Sequence, residues 1–371
     1  MGVPLGYASR HLIALVDGTW VSGSKMDANQ RYSNVYNLNL YLDHHNESAE
    51  AQIAFYIPGL GSRHTGRKRL AAGVYAADLP IDVEQAYINI CSNYLDPREG
   101  SEGDKIYLFG FSRGAVIACL TASLICKFGL LHPSKIQYFD VLWKRLIGAS
   151  NLSDGEFETF CATNCSDGEV EFLGVYDTVL GMYGGNDEEA IKSLFLGDRL
   201  LPPKIKHACH ILALDETRGM FQPVLWYGEK SGQARLEQIW MPGVHSDVGG
   251  GYENDTLSKI SLYTMLNRIV AKTKLTVDDE MLEDLKRSIV RDVQQDRTKI
   301  NDERTAWAWA KEKLTIYKRR TCDKEASCQF IHPICKVLSG RPIAYKSEKK
   351  RRLVSMHDFD LEYCKEPIFE I

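Results

Sequence analysis

The segment from Ile106 to Ala115 constrains this chain more than any other. Tyr107, Leu108 and Phe109 form a short apolar and aromatic run that reads as a buried strand. Gly110-Phe111-Ser112-Arg113-Gly114 follows without a gap, and Ala115 to Ala122 then reads as a buried helix. Strand, G-x-S-x-G, helix is the context a nucleophile elbow requires. The glycines matter because a serine on so sharp a turn leaves no room for neighbouring Cβ atoms. The competing reading is a glycine-rich turn with a bystander serine.

Around this segment, strand-like and helix-like stretches alternate over the first two-thirds of the 371 residues. That alternation predicts an α/β fold, a mostly parallel sheet with helices on both faces. Strands are expected at His11–Val16, Gln52–Ile57, Lys105–Phe109, Glu171–Tyr176 and Gln238–Met241. Helices are expected from Val35, over Ile81–Leu95, over Ala208–Leu214 and over Leu257–Val270. Residues 1–272 read as one catalytic domain, with 129–170 as a cap over a site or a surface insertion. Beyond about Thr273 the chain turns charged, with Trp307 and Trp309 in an alanine-rich segment, so 273–371 reads as a helical C-terminal extension.

The balance of charge is ordinary, with 25% charged residues and a formal net charge of −4. Nothing in it calls for nucleic acid, and Lys349-Lys350-Arg351-Arg352 reads as a solvated charge run. Ten cysteines in a chain this large point to a reducing compartment rather than a disulfide scaffold. Neither a signal peptide nor an apolar run long enough to span a membrane is visible. A cytoplasmic chain is expected, with signal-independent export left open.

A serine hydroxyl becomes a nucleophile only beside a base, and that base needs a partner to hold its tautomer. The partners should follow Ser112 in the order Asp or Glu, then His, each at the end of a strand. Of the later histidines (His207, His210, His245, His332, His357), only His245 lies just past a strand in a glycine-rich loop. Asp177 ends the strand before it and is the best acid; Asp215 is the alternative. For the oxyanion, the Arg113 amide and those of Gly18 and Thr19 are the expected donors, set against an ordinary Asp-Gly turn. Asp17, His210, Asp215 and Asp247 are expected to support the site. Two weaker metal patterns are present: His245-x-Asp247 could supply two ligands with Asp17, although that spacing occurs often without metal, and the group Cys322, Cys328, His332 and Cys335 fits no standard zinc spacing. No metal or other cofactor is expected.

Taken together, five motifs in this order are specific: Val16-Asp17-Gly18-Thr19-Trp20, Gly110 to Ala115, Gly174 to Val179, His210 to Arg218, and Pro242 to Tyr252. The chain resembles the α/β-hydrolase family typified by the catalytic domain of type VI secretion phospholipase effectors of the first class. The likeness covers roughly residues 10 to 270; Val21 and Tyr176 depart from residues common there. The resemblance implies a Ser–Asp–His esterase with Ser112 as nucleophile, Asp177 as acid and His245 as base. It further implies a glycerophospholipid or other acyl-ester substrate and transient contact with a membrane surface.

Overall fold

The computed structural model describes residues 9–18, 31–43, 50–59, 79–97, 102–180, 193, 199–216, 218, 221–228, 235–301, 323, 325–338, 342–343, 351–352 and 361–366. Thr19, Trp20, Trp307, Trp309, Cys322, Lys349 and Lys350 lie outside them.

Seven parallel strands form one sheet: β1 (His11–Val16), β2 (Gln52–Ile57), β3 (Lys105–Phe111), then, after a short β4–β5 hairpin (Leu130–Leu131 with Cys165–Ser166), β6 (Val170–Tyr176), β7 (Ile205–Ala213), β8 (Leu236–Met241) and β9 (Gln329–Ile331). Their order is β2-β1-β3-β6-β7-β8-β9. The strands are nearly continuous apolar runs because both faces are covered. Along β1, Leu12, Ala14 and Val16 enter one core, whereas Ile13 and Leu15 enter the other.

The first core is closed by α2 (Leu79–Asn93) and α3 (Arg113–Phe128); the second by α1 (Asn34–Tyr41), α7 (Thr256–Lys272) and α8 (Asp279–Gln294). In α3, Gly114 to Ala122 and Leu124 to Cys126 are buried without a polar stripe, as suits a helix enclosed on all sides. Among the described residues no helix is long and apolar enough to cross a membrane.

The strand order reverses at β1, which pairs with β2 on one side and β3 on the other. In open parallel sheets, ligands bind at the carboxyl ends of strands flanking such a reversal. Here those ends are Asp17-Gly18 and Ser112.

One expectation changes, and two others gain detail. Ala208–Leu214 lies in strand β7 rather than a helix, because a short apolar run carries no period and its neighbours decide. His210 is therefore a strand residue, with Asp215 and Glu216 just beyond the strand's end. Residues 129–170, which include α4 (Phe139–Leu146) and α5 (Asp154–Asn164), run from the far end of α3 to the start of β6. That is the end of the sheet away from Ser112, where Phe139, Leu142 and Phe157 bury against the first core as a surface insertion. Finally, the chain beyond 272 is helical in α8 but also supplies β9 and α9 (Ile334–Leu338). Leu285, Ile289, Ile334 and Leu338 belong to the second core. The short strands β10 (Pro342–Ile343) and β11 (Arg351–Arg352) pair with each other, which places the end of the basic cluster in a strand.

Candidate active site

Strand β3 delivers Ser112 with φ 59° and ψ −123°, a backbone conformation costly for a residue with a side chain. Its amide donates to the Tyr176 carbonyl at 3.0 Å, and its carbonyl accepts from the Ala115 amide at 3.2 Å. Gly110 and Gly114 make the turn possible by close approach. A Cβ at 110 would stand 2.5 Å from Ala115 Cα, and one at 114 would stand 2.3 Å from the Val16 carbonyl oxygen. Backbone atoms cannot yield as a side-chain tip can. Gly114→Ala is therefore expected to cost about 3 kcal/mol or more, the upper range for overpacking. A urea midpoint within error of wild type would contradict this packing.

Asp177 follows β6 directly and is fully buried at φ 42°. Its Oδ1 accepts from the Ala213 amide at 3.1 Å, and its Oδ2 lies 2.6 Å from His245 Nδ1. A carboxylate only accepts, so Nδ1 carries the proton and Nε2 is left as the basic nitrogen. His245 opens α6 (His245–Gly249), one short loop past β8. Its ring lies between Phe111 and Phe221, with centroids at 4.7 and 4.8 Å. Phe111 is in turn seated on two glycines: a Cβ at 249 would fall 1.9 Å from that ring, and one at 18 would fall 2.8 Å from it. One aromatic side chain thus ties the end of β1, the serine turn and the histidine helix together.

A second set of contacts holds the histidine from its backbone. Glu216 Oε2 accepts from the His245 amide at 3.3 Å, and the two Glu216 oxygens accept from Arg218 Nε and Nη2 at 2.9 and 2.7 Å. Burial pushes the Glu216 carboxyl up, but the hydrogen bonds and charge of Arg218 outweigh it and hold the group below its ordinary value. The Arg218 guanidinium lies 3.8 Å over the Phe221 ring. The sequence groups Glu216 and Arg218 with His210 and Asp215 as a supporting polar network, but Phe111 and Phe221 are not singled out there as site residues. A bulky side chain inside the G-x-S-x-G segment, facing two glycine-rich turns, was the available signal for Phe111.

The remaining candidates brace loops. His210 Nε2 accepts from the Thr178 amide at 3.1 Å, fixing the turn after Asp177. Asp215 braces the loop after β8: its Oδ2 accepts from the Gly243 amide at 2.8 Å, and its own amide donates to the Gly243 carbonyl. Asp247 accepts from the Val244 amide and from the Asn301 amide and Nδ2. Asp17 accepts from Ser33 Oγ and Tyr56 OH, both at 2.7 Å.

The Gly18 amide donates to Asp17 Oδ1 at 2.7 Å. A Cβ at 18 would stand 3.3 Å from Ser112 Cβ, so the absence of a side chain there leaves room beside the serine. Arg113 is the first residue of α3, so its amide sits at the helix N-terminus next to the serine.

Cys322 lies outside the described residues, so the second metal pattern is described only in part. Among the described residues no group of three or more His, Cys, Asp or Glu could hold an ion. His332 engages Thr264 Oγ1 through Nε2 and accepts from the Ile334 amide at Nδ1, so both its nitrogens are committed.

Burial pushes Asp17 up to about 6 and Asp247 up to about 7, against the pull of their hydrogen bonds. Both start from an ordinary value of 3.8, so the folded chain holds these protons more tightly than the unfolded one. Their contribution to stability is complete below 3.8 and is lost as pH rises through the folded values. Asp247→Asn should therefore flatten the fall in urea midpoint between pH 5 and 8. Equal slopes in wild type and variant would contradict a raised Asp247.

A parallel sheet whose reversal point carries a strained serine turn, with an Asp–His pair at the ends of later strands, defines an α/β-hydrolase-like protein. The family model described as "T6SS, Phospholipase effector Tle1-like, catalytic domain" matches residues 10–268, and the chain belongs to that family. The uncharacterized protein YEL023C of Saccharomyces cerevisiae is 27% identical over 245 residues, 58% of this chain and 32% of that one. An uncharacterized protein from Pseudomonas aeruginosa is similar in structure with a TM-score of 0.46 and 18% identity, covering 73% of this chain and 47% of that one. The Tle1 effector bound to the VgrG spike of the type 6 secretion system gives 0.38 and 22%, covering 66% and 52%. The chain thus spans about a third of the curated relative and about half of each of these structures.

Proposed function

We propose that this chain hydrolyses carboxylic esters of lipids, phospholipids foremost, through an acyl-enzyme on Ser112. The observation that carries the reading is the 2.6 Å contact between His245 Nδ1 and a fully buried Asp177, beside the strained serine turn. With Nδ1 holding its proton, Nε2 takes the proton of Ser112 Oγ as the oxygen attacks the ester carbonyl. Asp177 keeps the imidazole in that tautomer and stabilises the imidazolium. The Arg113 amide donates to the developing oxyanion. His245 then returns the proton to the leaving alcohol, and water repeats the sequence to release the acid.

The other polar residues act through these three. His210 holds the turn after Asp177, Asp215 and Asp247 hold the loop that presents His245, and Asp17 holds the end of β1. Contact with a lipid surface is transient in this reading. The test is fluorophosphonate labelling of the full chain, followed by hydrolysis of phosphatidylcholine vesicles and of a soluble short-chain ester. Labelling at Ser112 with release of fatty acid from vesicles is expected. Labelling with cleavage of the soluble ester alone would replace phospholipid by a small ester, thioester or polysaccharide acyl group. An unlabelled Ser112 would leave a hydrolase fold used for binding.

A further inference from the structure

The described cysteines divide by exposure. Six are buried, and Cys161, Cys165 and Cys328 are the three that reach the surface in part. Two of those three stand together. Cys161 lies in the last turn of α5, and Cys165 caps that helix and opens β5. The backbone pins them to each other, because the Cys165 amide donates to the Cys161 carbonyl.

Four residues of helix advance about 6 Å along the axis. Disulfides join residues whose Cα atoms are roughly 4.4 to 6.8 Å apart. The chain leaves the helix at Cys165, with φ −122° and ψ 145°, so that side chain does not follow the helical direction. The two thiols already meet: the Cys165 thiol donates a hydrogen bond to the Cys161 sulfur.

Their surroundings separate two roles. Burial pushes the Cys161 thiol up, but the hydrogen bond from Cys165 and the charge of Arg145 pull the other way. Burial and the neighbouring Cys161 push Cys165 up to about 12. Thiolates, not thiols, attack disulfides, so Cys161 is placed to react first while Cys165 keeps its proton. Cys91 lies behind the pair but is buried, and burial pushes its thiol up to about 12 against hydrogen bonds from Tyr87 and Leu131. It is the poorer partner on both counts.

We propose that Cys161 and Cys165 form a thiol–disulfide exchange site whose reaction partner is a small disulfide of the oxidised glutathione type. The Cys161 thiol gives its proton to solvent, and the thiolate attacks one sulfur of that disulfide. The disulfide bond breaks, and the departing thiolate takes up a proton. Cys165 then loses its proton and attacks the Cys161 sulfur of the mixed disulfide, which releases the second thiol. Two cysteine thiols are oxidised to one disulfide, one small disulfide is reduced to two thiols, and no other reactant is required. The new bond ties the last turn of α5 to the β4–β5 hairpin, where Cys165 pairs with Leu131. This lies in the insertion at the end of the sheet away from Ser112, so the site is independent of the esterase reading.

The test equilibrates the reduced full chain in mixtures of oxidised and reduced glutathione, blocks free thiols with iodoacetamide and maps the cysteines by mass spectrometry. As oxidised glutathione comes into excess, the tryptic peptide that carries both Cys161 and Cys165 is expected to be unalkylated and two hydrogens lighter. Dithiothreitol should restore both thiols. Cys165→Ser should stop at the mixed disulfide, with one glutathione on Cys161. Cys161→Ser should carry no glutathione on Cys165. Alkylation of both residues in wild type under oxidised glutathione alone would overturn the site, as would a disulfide between Cys165 and Cys91. Glutathione on Cys165 in Cys161→Ser, formed as fast as on Cys161 in Cys165→Ser, would overturn the order of attack. The wild-type map decides the site itself, so impaired folding of either variant cannot hide the result.

Discussion

Ser112→Ala is expected to lower ester hydrolysis by about a millionfold and to abolish fluorophosphonate labelling. The loss is so large because the other parts depend on the hydroxyl: His245 Nε2 has no proton to take and no acyl-enzyme forms. The fold should survive. Alanine carries the same Cβ into the strained conformation, and the Ser112 hydroxyl makes no capping bond to its helix. Ser112→Gly separates the two effects further. Relief of the positive φ should raise stability by about 1 kcal/mol while activity stays lost. An alanine variant with even a tenth of the wild-type rate would remove Ser112 from the mechanism.

Asp177→Asn is expected to lower kcat by about 10^4-fold with little change in KM. The argument follows from what holds the carboxylate. Oδ1 accepts from the Ala213 amide, so an asparagine must place its carbonyl oxygen there and turn its NH2 toward His245. A donor facing Nδ1 forces the imidazole proton onto Nε2, the nitrogen that has to accept from Ser112. Substrate contacts are untouched, which confines the loss to kcat. Asp215→Asn provides the contrast, since that carboxylate braces the Gly243 amide. If Asp215→Asn were the more damaging of the two, the acid would have to be reassigned.

Much of this architecture is legible in the sequence, and the exceptions share a cause. β1, β2, β3, β6 and β8 announce themselves as apolar runs closed by turn residues, and α3 follows from the G-x-S-x-G segment. Local pattern fails where neighbours decide the outcome. Ala208 to Ala213 is a strand because β6 and β8 flank it, and Gln329–Ile331 is too short to signal anything before it pairs with β8. The same division runs through the site. Asp177 and His245 could be chosen because each follows a strand, a property written along the chain. The bond from the Gly18 amide to Asp17 accompanies the burial of that carboxylate, and the seating of Phe111 on Gly249 joins positions far apart in sequence. Such facts are tertiary and have no local signature.

The seventh strand also bears on how the protein is made. Met241 closes β8, whereas β9 begins only at Gln329. At ordinary synthesis rates, a ribosome needs roughly 4 to 18 seconds to cover that distance. During the interval β8 presents the unpaired backbone groups of Gln238, Ile239 and Trp240 along an open flank. Open strand edges recruit other chains. The nascent protein thus passes through a period in which its first six sheet strands can assemble while the sheet remains unfinished, and in that period a chaperone or a neighbouring copy has most to gain.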